Sequence, residues 1–172
     1  MLTHLASAQH GHGNSHYMEL LKMFKKLLTA LCASVVVFSL AGCGDKEETK
    51  TFKANINGVE MSLTYTYSGD KVIKQTAENK IAYSSIGAKN KEEAQTVLGP
   101  IGQKYQGVDG VEEKINYEDT YAEETVKIDY TKADTAKLKE LMGAMSTGDV
   151  SKGVSMKQSQ ALLEAQGFKE VK

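Results

Sequence analysis

Nine consecutive residues, Val59 to Tyr67, alternate apolar and polar without a fault, directly behind Asn57-Gly58. A strand sends successive side chains to opposite faces. Val59, Met61, Leu63, Tyr65 and Tyr67 therefore share a buried face, while Glu60, Ser62, Thr64 and Thr66 meet water. Asn-Gly supplies the positive φ that a type I′ turn needs at both central positions. That ties the strand back to Thr51–Ile56, where Phe52, Ala54 and Ile56 alternate. Ser68-Gly69-Asp70 predicts a turn into a third strand from Lys71 to about Ala77, with a further extended piece at Ile81–Ile86. A chain that opens this way is committed to an antiparallel meander with one wet face.

Helical spacing begins at Asn90, followed three residues later by Glu93 in a capping-box arrangement. Ala94, Val97, Leu98, Ile101 and Tyr105 form one stripe, and Pro100, the only proline, is expected to kink or split the helix. Lys114–Tyr117 and Ala122–Tyr130 read as two more strands, with Val126, Ile128 and Tyr130 on one side. Asp134 is placed to cap a short helix carrying Leu138, Leu141 and Met142, which Gly143 stops. After a loop at Ser146–Gly153, Ser155 and Gln158 form a second capping box for a helix lined by Leu162, Leu163 and Ala165, with Gly167 at C′. Phe168 returns to the core, and whether Phe168–Val171 adds an edge strand is left open. The predicted fold is α+β, a mostly antiparallel sheet with an N-terminal β-meander and two to three helices packed on one face.

Ahead of this domain stands Leu40-Ala41-Gly42-Cys43, behind Lys22, Lys25, Lys26 and a charge-free run of 14 residues, Leu27–Leu40. Basic n-region, apolar h-region and small residues at a cleavage point make a secretory signal. The run is shorter than the ~20 residues a spanning helix requires. A cysteine after the small residues changes secretion to anchoring, because its thiol takes a diacylglyceryl thioether. Cleavage is expected between Gly42 and Cys43, with Cys43 lipidated. The expected organisation is an over-called start at 1–22, a lipoprotein signal peptide at 23–42, a lipid-anchored tether at 43–50 and one α+β domain at 51–172. Met23-Phe24-Lys25-Lys26 makes a compact n-region by itself. His4, His10, His12 and His16 therefore fall upstream of the signal, where a metal-binding tail is not expected.

Composition narrows the chemistry. Of 21 lysines and 22 acids, Lys22, Lys25, Lys26 and Glu19 precede Cys43, which leaves a net charge of −3 on Cys43–Lys172. The chain has no arginine, which argues against nucleic acid and against bidentate carboxylate or phosphate clamps. Histidine and any second cysteine are absent after Cys43, since Cys32 lies in the h-region. A Ser-His-Asp site therefore cannot be built, and no disulfide is possible within the mature chain.

Other motifs read first as structure. The pairs Glu112/Glu113, Glu118/Asp119 and Glu123/Glu124 offer carboxylates for acid–base work. Adjacent strand residues face opposite ways, however, so these are expected to be solvated acids at hairpin ends. Met142, Met145 and Met156 are expected as core filler rather than a soft-metal site. Tyr65, Tyr67, Tyr83, Tyr117 and Tyr130 fit a half-buried pleated surface. Nothing in the spacing of Ser84, Ser85 and Lys89 singles out a Ser-Lys pair, and Gly99-x-x-Gly102 lacks the ending of a phosphate loop. No metal and no cofactor are expected.

The anchor block SLAGCGDKEE, the NG hairpin before LTYTYSGDKVIKQ, SIGAKNKEEA, GVEEKINYEDTYAEETVKID and the terminal AQGFKEVK run in order through the chain. In these blocks the chain from Met23 to Lys172 resembles the YehR-like bacterial lipoproteins, a family without an assigned role. Met1–Lys22 has no counterpart in it. The resemblance implies a small α+β domain on a lipid anchor and carries over Cys43 alone as a functional position. The expectation is a lipid-anchored, extracytoplasmic envelope protein at the cell membrane. It is expected to be a non-catalytic module that binds an envelope protein, a peptide or a glycan. A small carboxylate-based envelope hydrolase and an assembly accessory without a small ligand stand as alternatives. Gly44 and Asp45 leave inner versus outer membrane open.

Overall fold

The structure, a computed structural model, describes residues 46–142 and 153–171. Six strands form one antiparallel sheet: β1 (Glu47–Ile56), β2 (Val59–Ser68), β3 (Lys71–Ala82), β4 (Val111–Tyr117), β5 (Tyr121–Asp129) and β6 (Lys169–Val171). Their order across the sheet is β4-β5-β3-β2-β1-β6. Helices α1 (Lys91–Gly102), α2 (Thr135–Met142) and α3 (Met156–Ala165) contribute Ala94, Leu98, Leu138, Met156 and Leu163 to the same core as the strands. The expected α+β architecture, with helices over one face of a meander, is the one found.

The β2 alternation holds along its whole length, with Val59, Met61, Leu63, Tyr65 and Tyr67 all buried. Asn57 takes φ 53° and Gly58 φ 82°, as the turn requires. Phe52 on β1 is fully enclosed and meets Tyr65 edge-on, with ring centroids 6.1 Å apart.

Several boundaries differ from the sequence reading. β1 begins at Glu47, so residues 47–50 of the expected tether are strand, paired with β2 from Glu47↔Ser68 onward. Polar side chains support this extension. Tyr67 donates to Glu48 Oε2 at 3.1 Å, and Lys50 Nζ donates to Gln160 Oε1 at 2.8 Å and pairs with Glu170 at 3.3 Å. β3 is one strand of 12 residues through Glu78-Asn79-Lys80; of the piece expected to be extended, Ile81–Ile86, the first two residues end that strand and Tyr83–Ile86 is instead a 3₁₀ turn. Helix α1 runs through Pro100 to Gly102 and tightens into a 3₁₀ turn at Gln103–Tyr105. Proline withholds only its own N–H, and so close to the helix end that loss is tolerated. Ala165 is exposed rather than lining α3. The open question at the C-terminus resolves as β6, an edge strand antiparallel to β1.

The N-caps form as read, except that Glu93 Oε2 accepts from Lys89 N at 2.9 Å rather than from the Asn90 N–H, and Gly143 lies outside the described residues. Asn90 Oδ1 accepts from Glu93 N at 2.9 Å, and Asp134 Oδ1 accepts from Ala136 N at 2.9 Å. Ser155 accepts from Gln158 N at 3.3 Å, and its hydroxyl donates to Asp70 Oδ2 at 2.7 Å. Gly167, at φ 92°, follows α3 as its C′ residue. Ser155 is buried, so Ser155→Ala strips a cap and leaves Asp70 short of a donor. Urea unfolding is expected to show a loss of about 1–2 kcal/mol.

Candidate functional site

Helices cover one face of the sheet; the other face is open. Across that open face the register sets Glu60, Lys80 and Glu123 in one row on β2, β3 and β5. Lys53, Ser62, Glu78 and Thr125 form the next row. Together with Asn55 these residues line an open trough of about 550 Å³. Lys80 Nζ lies 4.3 Å from the Tyr121 ring centroid, a cation–π contact at its rim. Among the described residues the carboxylates of Glu60, Glu78 and Glu123 have no ion pair or hydrogen bond. Of the four β2 residues read as a wet face, Glu60 and Ser62 reach the trough. Thr64 Oγ1 instead lies 2.9 Å from Thr51 Oγ1.

Beneath the trough, the opposite face holds a polar cluster whose acids, Glu113 and Glu124, the sequence reading placed in water. Glu124 is buried, and its Oε2 accepts from Asn79 Nδ2 at 2.7 Å. Its pKa is raised to about 7, chiefly by burial, with the Asn79 bond lowering it and the nearby Glu113 raising it. Glu113 lies one diagonal step away on β4, since Ile115 faces Glu124 and Glu113 faces Val126. Burial raises its pKa as well, against a bond from Gln106 Nε2 at 3.3 Å. Asn79 Oδ1 and Glu113 Oε1 are buried without a partner among the described residues. The solvated-acid expectation thus holds for the exposed Glu112, Glu118, Asp119 and Glu123 and fails for Glu113 and Glu124. None of the three sequence-adjacent pairs makes a dyad; Glu113 and Glu124, one from each of two pairs, share a face. The signal was present in β5, where Glu124 has the parity of Val126 and Ile128. Likewise Asn79 has the parity of Ala77 and Ile81.

The other candidates serve the fold. Tyr65, Tyr67 and Tyr83 are buried, and Tyr117 and Tyr130 pack against the core. Tyr130 donates to Gln75 Oε1 at 2.8 Å and Tyr83 to the Glu118 carbonyl. Met156 is core, Met145 lies outside the described residues, and nothing is described of the Met142 side chain. Ser85 donates to the Ala82 carbonyl at 2.7 Å, and Gly99–Gly102 closes a helix instead of opening one. Gly42, Cys43, His4, His10, His12, His16 and the Ser146–Lys152 part of the expected loop also lie outside the described residues. Among the described residues no group of three or more His, Cys, Asp or Glu is placed to hold a metal, and no helix is long and apolar enough to cross a membrane.

A small α+β domain with one face of its antiparallel sheet covered and a polar trough on the other is the class that fold and site define. The chain belongs to the family described as "Protein of unknown function (DUF1307)", whose pattern matches residues 48–169. It is 52% identical over 151 residues to "Uncharacterized lipoprotein Lin0239" of Listeria innocua, covering 88% of this chain and 99% of that one. It is also 52% identical over 153 residues to "Uncharacterized lipoprotein YehR" of Escherichia coli K12, covering 88% of this chain and 100% of that one. The NMR structure of E. coli YehR superposes with a TM-score of 0.64 at 48% identity, over 76% of this chain and 94% of that chain. An NMR structure of a Streptococcus pneumoniae TIGR4 protein, at 18% identity and TM-score 0.50, covers 81% of this chain and 93% of that one and shares the fold. The resemblance to YehR-like proteins read from the sequence blocks is therefore confirmed.

Proposed function

We propose that this protein is a lipid-anchored, extracytoplasmic envelope module that binds a polar peptide or glycan in the trough and performs no catalysis. Lipidation of Cys43 after cleavage at Gly42 supplies the membrane attachment. A diacylglyceryl group makes attachment durable where a single acyl chain is marginal. The lipoprotein names of relatives at about half identity support the anchor.

The observation that carries the binding reading is the open trough with three uncommitted carboxylates, Glu60, Glu78 and Glu123, beside Lys53 and Lys80. Such groups are held in place by sheet register and already point at solvent, so recognition needs little reorganisation. An open surface of this kind suits an extended polar ligand better than it suits hydrolysis, which needs its two carboxyls to flank a bond.

The test is a thermal-shift and amide chemical-shift titration of the protein with envelope-derived peptide and glycan fragments. A ligand at a hundredfold excess over its Kd stabilises the native state by about 2.7 kcal/mol. The expected result is a raised Tm, with shifted amides at residues 53–55, 60–62, 78–80 and 123–125, both lost in a Lys80→Ala, Glu123→Ala variant. A full set of fragments with no shift would leave the assembly-accessory reading in its place.

A further inference from the structure

Glu124 and Glu113 have no positive charge against them. The groups that bear on Glu124 are Asn79 from β3 and Glu113 from β4; those that bear on Glu113 are burial and Gln106. Tyr105 from the 3₁₀ turn and Tyr117 from β4 feel both carboxyls, and these phenols carry no charge to offset them. No ammonium acts on either carboxyl among the described residues. Two acceptor atoms, Asn79 Oδ1 and Glu113 Oε1, are sealed in without a donor. A buried carboxylate in this setting is tolerable while protonated and costly once ionised.

The lid over this cluster is the end of α1, the 3₁₀ turn and the link to β4. Gly102 sits directly on the Glu113 carboxyl, since a Cβ there would lie 2.8 Å from Oε1. Tyr105 is buried beneath the same segment. Its two ends are fixed. Ala94 and Leu98 hold the front in the core, and Gly110 is clamped behind, its carbonyl accepting from Asp129 N at 2.8 Å. At Gly110 φ is +74° and a Cβ would strike Ala133 N at 2.6 Å. Between those ends the segment rests on the core through Ile101 and Tyr105, and one of its polar ties is Gln106 Nε2 on Glu113 Oε2 at 3.3 Å. Pro100 leaves the Thr96 carbonyl without its helical donor, Gly107 takes φ +73°, and an outside tie is Lys137 Nζ on the Gly107 carbonyl at 3.3 Å.

We propose that residues 99–109 form a flap that opens over the inner face of β4 and β5 when Glu124 and Glu113 ionise. Opening lets water reach Glu124 and the sealed Oε1 of Glu113, and exposes Tyr105 and the edge of the core. The device is a pH-responsive one, separate from the trough on the opposite face.

Amide hydrogen exchange, corrected for intrinsic rates, tests this on the protein at pH 5.5 and pH 8.5. With the carboxyl at 4.5 when open and about 7 when closed, linkage predicts a roughly 30-fold loss of protection across that interval. The loss is expected at residues 101–109 and not at the β2–β3 pairs. Glu124→Gln is expected to abolish the pH dependence, and Glu113→Gln to reduce it while leaving the fold intact. Uniform loss of protection over the whole domain, no loss at all, or a loss that persists in Glu124→Gln would each overturn the flap.

Discussion

Glu124→Gln is expected to stabilise the protein by about 3 kcal/mol at pH 8 and to leave it nearly unchanged at pH 4. The carboxyl is raised by burial from 4.5 to about 7 in the folded state. Its folded pKa thus exceeds its unfolded one, and the native state binds more protons between those values. The contribution is fully present below about 4.5, falls as pH rises and is lost once pH has passed about 7. Glutamine keeps the shape and the Asn79 contact and never ionises, so the variant's stability is flat across that window. Urea unfolding of both proteins at pH 4, 6 and 8 measures the divergence. Parallel curves would show that Glu124 ionises without penalty, and the cluster would then be hydrated in a way its burial does not suggest.

Cys43→Ala is expected to move the protein entirely from the membrane fraction to the soluble fraction or to leave it as unprocessed precursor. The effect is all-or-none because the proposed anchor is covalent; nothing among the described residues offers a spanning helix in its place. Intact mass of the membrane-fraction protein measures it. The wild type is expected to begin at Cys43 and carry a diacylglyceryl group, which the variant lacks. A wild-type product that retains Met1 and carries no lipid would remove the anchor from the proposed function. The fold and the trough would stand unchanged.

These expectations rest on different depths of legibility. The β2 strand, its Asn57-Gly58 turn and the caps at Asn90, Asp134 and Ser155 follow from local chemistry: side-chain period, backbone φ and one orphaned N–H at a time. Ends were less legible. β1 gained residues 47–50 because β2 continues to Ser68 and offers partners for polar residues that show no pattern of their own. β3 kept its course through Glu78-Asn79-Lys80 because neighbours on both sides, β2 and β5, complete its ladder.

The sequence by itself determined the anchor motif, the antiparallel meander, the helix starts and, for the residues after Cys43, the chemistry that cannot occur without arginine, histidine or a second thiol. Only the tertiary structure decided which charges converge. Glu60 and Glu78 come from consecutive strands and Glu123 from a strand distant in sequence, and the register that sets them in one trough is a property of the assembled sheet. The same holds for Glu113 and Glu124. Parity could mark each as inward-facing, but whether an inward acid meets water or a helix depends on what packs above it. Here α1 and its 3₁₀ extension lie over β4, and a carboxylate that strand chemistry alone would leave hydrated is sealed.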